Sequence, residues 1–246
     1  MERSGILGAG IMRGRVQTLV PAAGSAVRMG LGYSKAYLEL DGRPLLVRTI
    51  ESLLRCRAID RVITAVRPEE VELCRKEIVQ KYGLQDQVEV IGGGPERDHT
   101  VWELLGKVPA DRDLVLIHDG ARPFVSEEIV NGVLSAAEQW GAALAAVPVT
   151  DTVKISEDGG ETVSGTFDRD KIWLAQTPQA FNRDLILAAH RSARKADFSV
   201  TDDTTLVERS GHPVRIVKGD PWNIKITTLE DLELARWIVE RRREPR

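Results

Sequence analysis

Short apolar runs that each end in a loop of small or charged residues, separated by segments of helical period, constrain this chain more than any other feature. Val16-Gln17-Thr18-Leu19-Val20 runs into Pro21-Ala22-Ala23-Gly24, and Gln87 to Ile91 runs into Gly92-Gly93-Gly94. Asp113 to His118 runs into Asp119-Gly120-Ala121-Arg122-Pro123. Asp60 to Val66, stopped by Pro68, and Ala142 to Val149 read as two more strands. Between them lie Leu45 to Leu54, entered through Pro44, Glu69 to Tyr82, closed by Gly83, and His99 to Leu105, all with helical spacing. Ser126 caps a further helix, with Glu127 and Glu128 at its positive end. Strands alternating with helices predict an α/β fold, a Rossmann-like, mainly parallel sheet flanked by helices. Such sheets bind ligands at the carboxyl ends of their strands. The Gly24, Gly94 and Asp119 loops all follow strands and are therefore predicted to converge.

The pattern changes from Asp151 to Lys171. Val153-Lys154-Ile155, a turn at Ser156-Glu157-Asp158-Gly159-Gly160 and then Thr162-Val163 read as a β-hairpin, expected to project as an arm over about 151–171. Val214 to Val217 is a late strand and Thr228 to Arg243 a charged terminal helix. With no repeat or low-complexity linker, residues 16–240 read as a single domain carrying the arm. Residues 1–15 read as a disordered lead-in. Gly8-Ala9-Gly10 within it lacks the preceding strand that a dinucleotide loop requires.

Composition narrows the function classes. A net charge of −3 argues against nucleic acid as a partner, because polyanion binders are basic overall. Cys56 and Cys74 have no paired spacing to a His or a third Cys, which argues against a disulfide framework or a zinc site and suits reduced thiols. No apolar run approaches the ~20 residues of a membrane span. The expectation is a cytoplasmic protein with no membrane partner.

Four clusters carry chemistry. In Ala22-Ala23-Gly24-Ser25-Ala26-Val27-Arg28-Met29-Gly30, small residues let backbone N–H groups approach a polyphosphate. Arg28 adds a forked donor and Lys35 a compact charge. The same pattern also serves a structural turn, and it is not a P-loop. Asp119 at a strand end suits Mg²⁺ or another divalent cation, a hard ion that prefers oxygen. Arg122 brings charge for a substrate phosphate, and a strand-end ion pair between the two explains the spacing equally well. His118 reads as a packed residue. Asp168-Arg169 offers a phosphate fork, and Gln176-Thr177-Pro178-Gln179 offers the Thr177 hydroxyl, or simply a turn before proline. Alternation in Ile224-Lys225-Ile226 puts Lys225 opposite both isoleucines, lining a cleft or facing solvent.

Taken in order, Ala22-Ala23-Gly24, Arg28-Met29, Lys35, Gly93-Gly94, Arg97, Thr100-Val101, His118-Asp119, Ala121-Arg122-Pro123 and Asp151-Thr152-Val153-Lys154 carry a resemblance. Arg169, Trp173, Gln176-Thr177-Pro178-Gln179, Thr201-Asp202-Asp203 and Asn223-Ile224-Lys225-Ile226-Thr227 complete it. From Val16 to Trp237 the chain resembles the 2-C-methyl-D-erythritol 4-phosphate cytidylyltransferase family of the non-mevalonate isoprenoid pathway. The resemblance implies a nucleotidyltransferase fold and a transferase that joins CTP to methylerythritol phosphate with release of pyrophosphate. It implies Arg28, Lys35 and Lys225 on the phosphates, with Ala22, Ala23 and Gly24 in the nucleotide loop. Gly94, Thr100 and Gly120 would cradle cytosine, and Asp119 would hold Mg²⁺. Arg122, Thr152, Arg169 and Thr177 would hold the polyol phosphate. A homodimer is implied, in which the arm completes the partner's site.

The chain departs from that pattern at Ala26, Ser34, Ala36, Pro95 and Pro221-Trp222. Pro95 is read as replacing a carboxylate before the glycine loop's arginine, and Pro221-Trp222 stands where an acidic residue is frequent. Two other readings compete: a ribitol-5-phosphate cytidylyltransferase, and a nucleotide-binding protein that has lost catalysis.

Overall fold

Period-two burial sorts each central strand onto two layers. In β1 (Val16–Pro21), Val16 and Val20 pack on one face and Leu19 on the other. In β4 (Val62–Val66), Val62 and Val66 oppose Ile63 and Ala65. The computed structural model describes residues 15–24, 34–196, 200 and 202–243. The proposed lead-in lies outside these residues except for Arg15, which belongs to the fold: it pairs with Asp113 and with Glu138.

The remaining elements, in chain order, begin with a small hairpin of β2 (Glu39–Leu40) and β3 (Arg43–Pro44), then α1 (Leu45–Leu54). After β4 come α2 (Val71–Cys74), which widens into a π-turn over Arg75–Gln80, then β5 (Val88–Gly92), α3 (Arg97–Leu105) and β6 (Leu114–Ile117). There follow α4 (Glu127–Trp140), β7 (Ala142–Pro148), β8 (Lys154–Ile155) and β9 (Gly165–Thr166). The chain ends with β10 (Trp173–Asn182), α5 (Arg183–Lys195), α6 (Thr204–Arg209), β11 (Arg215–Lys218) and α7 (Leu229–Arg243).

Seven strands form one sheet in the order β11-β7-β10-β6-β1-β4-β5. All neighbours run parallel except β10, which is antiparallel to both β6 and β7. One core layer joins α1, α2 and α4 to the sheet through Ile50, Cys74 and Val133. The other joins α3, α5 and α6 through Leu104, Ile186 and Leu206. A third cluster packs α7 and Ile226 on Leu38, Leu40 and Phe124, and so fixes both segments that carry the cleft lysines. Strand order reverses beside β1, since the chain winds outward through β4 and β5 and then returns to place β6 on its other side. This is the crevice position where doubly wound sheets bind ligands.

β8 and β9 form a separate two-stranded ribbon, paired Lys154 with Thr166 and Ile155 with Gly165. The return strand lies three residues later than Thr162-Val163, because the Asp158 carboxylate accepts from the backbone N–H groups of Glu161 and Thr162 and extends the turn. Cys56, just past α1, and Cys74, in α2, are both free and buried.

Candidate active site

The three predicted loops converge. They border a cleft of about 730 Å³ lined by Ala22, Ala23 and Gly24 after β1, Gly93 and Gly94 after β5, and Asp119 and Gly120 after β6. Lys35 and Lys225 also line it. Small residues are required at this convergence. A Cβ on Gly94 would lie 2.4 Å from the His99 Cβ, and one on Gly120 would lie 3.0 Å from the Ala22 Cβ. The Gly93 N–H donates to the Val66 carbonyl at 2.7 Å, which splices the glycine loop to the end of β4. Thr100 is buried with its hydroxyl on the Gly94 and Glu96 carbonyls, so it shapes this loop from below.

Asp119 forms the electrostatic centre. Its carboxylate meets Arg97 Nε at 3.1 Å, Lys225 Nζ at 3.0 Å and Arg122 Nε at 3.5 Å. Burial alone would raise its pKa; the cations at Arg97, Lys225 and Arg122 outweigh that and hold the carboxyl well below the usual carboxylate range. Three cations face Asp119, and one of them, Arg97, is shared with the buried Asp203 at 2.8 Å. The cluster thus keeps an excess of positive charge beside a carboxylate that stays ionised, a setting suited to polyphosphate. Lys225 lies in an extended segment rather than a strand; Ile226 is buried while the Lys225 side chain stays 39% exposed. Lys35 donates to the Thr227 carbonyl at 3.2 Å from a short turn that buried Ser34 caps.

His118 is packed, as expected. Its Nε2–H donates to the Arg122 carbonyl at 2.9 Å, which leaves Nδ1 to accept from the Thr177 hydroxyl at 3.1 Å. Burial pushes the imidazole pKa down to about 4, so the ring is neutral at ordinary pH. The Thr177 hydroxyl in turn accepts from the Asp119 N–H at 3.0 Å. Thr177 is therefore a buried strut beneath Asp119, with its hydroxyl spent inside the fold, rather than a group opening onto the cleft. Arg122 is largely buried, donates to the Asn223 carbonyl at 2.7 Å, and ties the Lys225 segment to Asp119. Thr152 and Arg169 are exposed at the arm and do not line the cleft of their own chain; Arg169 donates to the Thr150 carbonyl at 3.0 Å. Arg28, with Ala26, lies outside the described residues.

Two readings change. A carboxylate does stand before the glycine loop's arginine: Glu96, adjacent to Pro95, lines the cleft. Arg97, which belongs to the same motif, contacts Asp119 directly. The signal for it was a basic residue in the first helical turn after a glycine run, where side chains point back toward the preceding loop.

Among the described residues Asp119 is the buried carboxylate that borders the cleft. An ionised carboxylate at a cleft is a ligand type that Mg²⁺ takes, held through one or two carboxylates plus phosphate oxygens. Oδ1 meets Arg97 and Oδ2 meets Lys225 and Arg122, so Asp119 fits such an ion only where an incoming phosphate draws one of these cations off it.

Comparison with known proteins bears on the cleft. The family model described as 2-C-methyl-D-erythritol 4-phosphate cytidylyltransferase matches residues 16–241. A protein of that name from Alkaliphilus oremlandii is 41% identical over 232 residues, covering 94% of this chain and 98% of its own. Another of that name, from Geobacter metallireducens, is 42% identical over 228 residues, covering 92% and 97%. The crystal structure of 4-diphosphocytidyl-2C-methyl-D-erythritol synthase from Anaerococcus prevotii superposes with a TM-score of 0.80 at 34% identity, covering 92% of this chain and 98% of that one.

Proposed function

The chain belongs to the 2-C-methyl-D-erythritol 4-phosphate cytidylyltransferase family, and on that premise we propose that it joins CTP to 2-C-methyl-D-erythritol 4-phosphate, releasing pyrophosphate, in isoprenoid precursor synthesis. The observation that carries the proposal is the Lys225–Asp119–Arg97 cluster lining the same cleft as the glycine loop.

The chemistry asks little of the protein beyond position and charge. A phosphate oxygen of the acceptor attacks the α-phosphorus of CTP. The new O–P bond forms as the bond to the β-phosphate's bridging oxygen breaks, and pyrophosphate leaves with that electron pair. The attacking oxygen is already anionic, so no general base is needed, and a neutral, buried His118 is consistent with that. Charge growing on the five-coordinate phosphorus calls for fixed cations. Lys225 and Lys35 border the cleft and fit this task, and the sequence motif offers Arg28 as a further cation. Gly94, Gly120 and the Thr100-braced loop suit close approach of the base.

Mg²⁺, held by Asp119 and the CTP phosphates, would neutralise charge on the reacting phosphoryl group. The arm is proposed to complete the site of a second copy, delivering Thr152 and Arg169 there. Its support is the placement of both residues away from their own cleft and the exposed apolar side chains of Val163, Phe167, Trp173 and Leu174 around them. No helix among the described residues is long and apolar enough to cross a membrane. A cytoplasmic location, where CTP is made and thiols stay reduced, completes the proposal. Pyrophosphate release from CTP that depends on methylerythritol phosphate supports this function. Equal release with and without the acceptor would refute it.

A further inference from the structure

Asp203 stands at the N-terminus of α6, where an aspartate ordinarily caps the helix, yet its side chain makes no capping bond. Its neighbour Asp202 caps instead, accepting from the Thr205 N–H at 3.1 Å and from the Thr204 hydroxyl at 2.9 Å. Asp203 turns away from the helix into the interior and is fully buried. Both oxygens are engaged there: Oδ2 accepts from Arg97 Nη1 at 2.8 Å, and Oδ1 from His190 Nε2 at 3.2 Å. Arg97 uses its Nε on Asp119 at 3.1 Å, so one planar guanidinium spans two carboxylates from two directions. His190 is itself buried in α5 and stacks on Trp102 of α3, the helix that begins with Arg97.

We propose that Asp203, seated by His190, is a positioning residue for nucleotidyl transfer, acting through Arg97 on Asp119. The inference rests on the function proposed above. A buried carboxylate is costly unless fully paired, and a helix that is already capped has no structural need of this one. What Asp203 supplies is a second anchor and a second counter-charge for Arg97. Without it the guanidinium has Asp119 as its only carboxylate partner among these groups. It would then swing onto both Asp119 oxygens, competing with Lys225 and with whatever the cleft brings. Arg97 lies on the nucleotide side, beside Glu96 and Thr100. The effect should therefore fall on CTP and on turnover rather than on the polyol phosphate.

The test is a double-mutant cycle of Asp203→Asn and Arg97→Met, followed by kcat/KM for each substrate and, independently of turnover, by CTP affinity from calorimetry. Each single variant should lower kcat/KM for CTP by about ten- to a hundredfold, as removal of a supporting hydrogen-bond partner commonly does, with KM for the polyol phosphate little moved. The double variant should be no worse than Arg97→Met alone. His190→Gln, which loosens the seat but spares the charge, should shift the same quantities in the same direction by less, and it serves if Asp203→Asn does not fold. Additive losses, or a KM for the polyol phosphate that rises as much as the KM for CTP, would make Asp203 merely structural and overturn the proposal. Failure of the wild-type chain to turn over CTP would count against the function itself, while the calorimetric cycle would still decide the role of Asp203.

Discussion

Lowering the pH from 7.5 to 5 should destabilise this protein through one identified ring. The neutral His118 imidazole is fully buried between the Arg122 carbonyl and the Thr177 hydroxyl, with both ring nitrogens engaged. Its pKa falls from 6.5 in the unfolded chain to about 4 in the folded one. A histidine depressed in this way is fully stabilising above pH 6.5, and that contribution drains away as the pH falls toward 4, because the unfolded chain takes up a proton that the folded chain refuses. The loss is about 2 kcal/mol at pH 5 and about 3 kcal/mol below pH 4, from 1.36 kcal/mol per unit. Urea unfolding of the wild type and of His118→Asn, at one protein concentration and at both pH values, isolates the effect. The fixed cost of the substitution appears at both pH values and cancels. The wild type should lose about 2 kcal/mol more than the variant between pH 7.5 and 5. Equal losses would refute the account of a ring held neutral by its packing.

Other substitutions probe the cleft and the arm. Gly94→Ala places a methyl 2.4 Å from the His99 Cβ, so the glycine loop must shift. KM for CTP should rise, by roughly tenfold or more, against an unchanged KM for the acceptor, since such overpacking costs about 1–3 kcal/mol. Steady-state kinetics with each substrate varied in turn checks this. Lys225→Ala should lower turnover by a hundredfold or more, as loss of one transition-state charge contact does, without unfolding the protein. If the arm serves the partner's cleft, mixing Lys225→Ala with Arg169→Ala subunits should restore about a quarter of wild-type activity, because half of randomly paired dimers then hold one intact site. Activity that stays at the level of the separate variants would place Arg169 in its own chain's site or in none.

Much of the fold could be read because burial in this sheet is two-sided and strictly periodic. Val16, Leu19 and Val20, and Val62 through Val66, announce strands whichever face they take. β10 escaped because Pro178 interrupts its run, and a proline inside an apolar segment argues against a central strand. It is in fact accommodated where the register with β7 shifts, between Ala175 and Gln179. α5 and α6 are rich in polar and charged residues, and the buried face of α5 shows only in the helical spacing of Ile186, Leu187 and His190. The convergence of three loops was legible because each follows a parallel strand. The tasks of single residues were less so. Thr177 carries the same hydroxyl whether it meets substrate or the Asp119 N–H, and only the packing of β10 against β6 decides between them. Arg97 and Asp203 are 106 positions apart, and no local pattern joins them.

The acceptor is the central claim and admits a direct test: pyrophosphate release with CTP, Mg²⁺ and either methylerythritol phosphate or ribitol 5-phosphate. The account predicts turnover with methylerythritol phosphate and little with ribitol 5-phosphate. Turnover with ribitol 5-phosphate alone would contradict it.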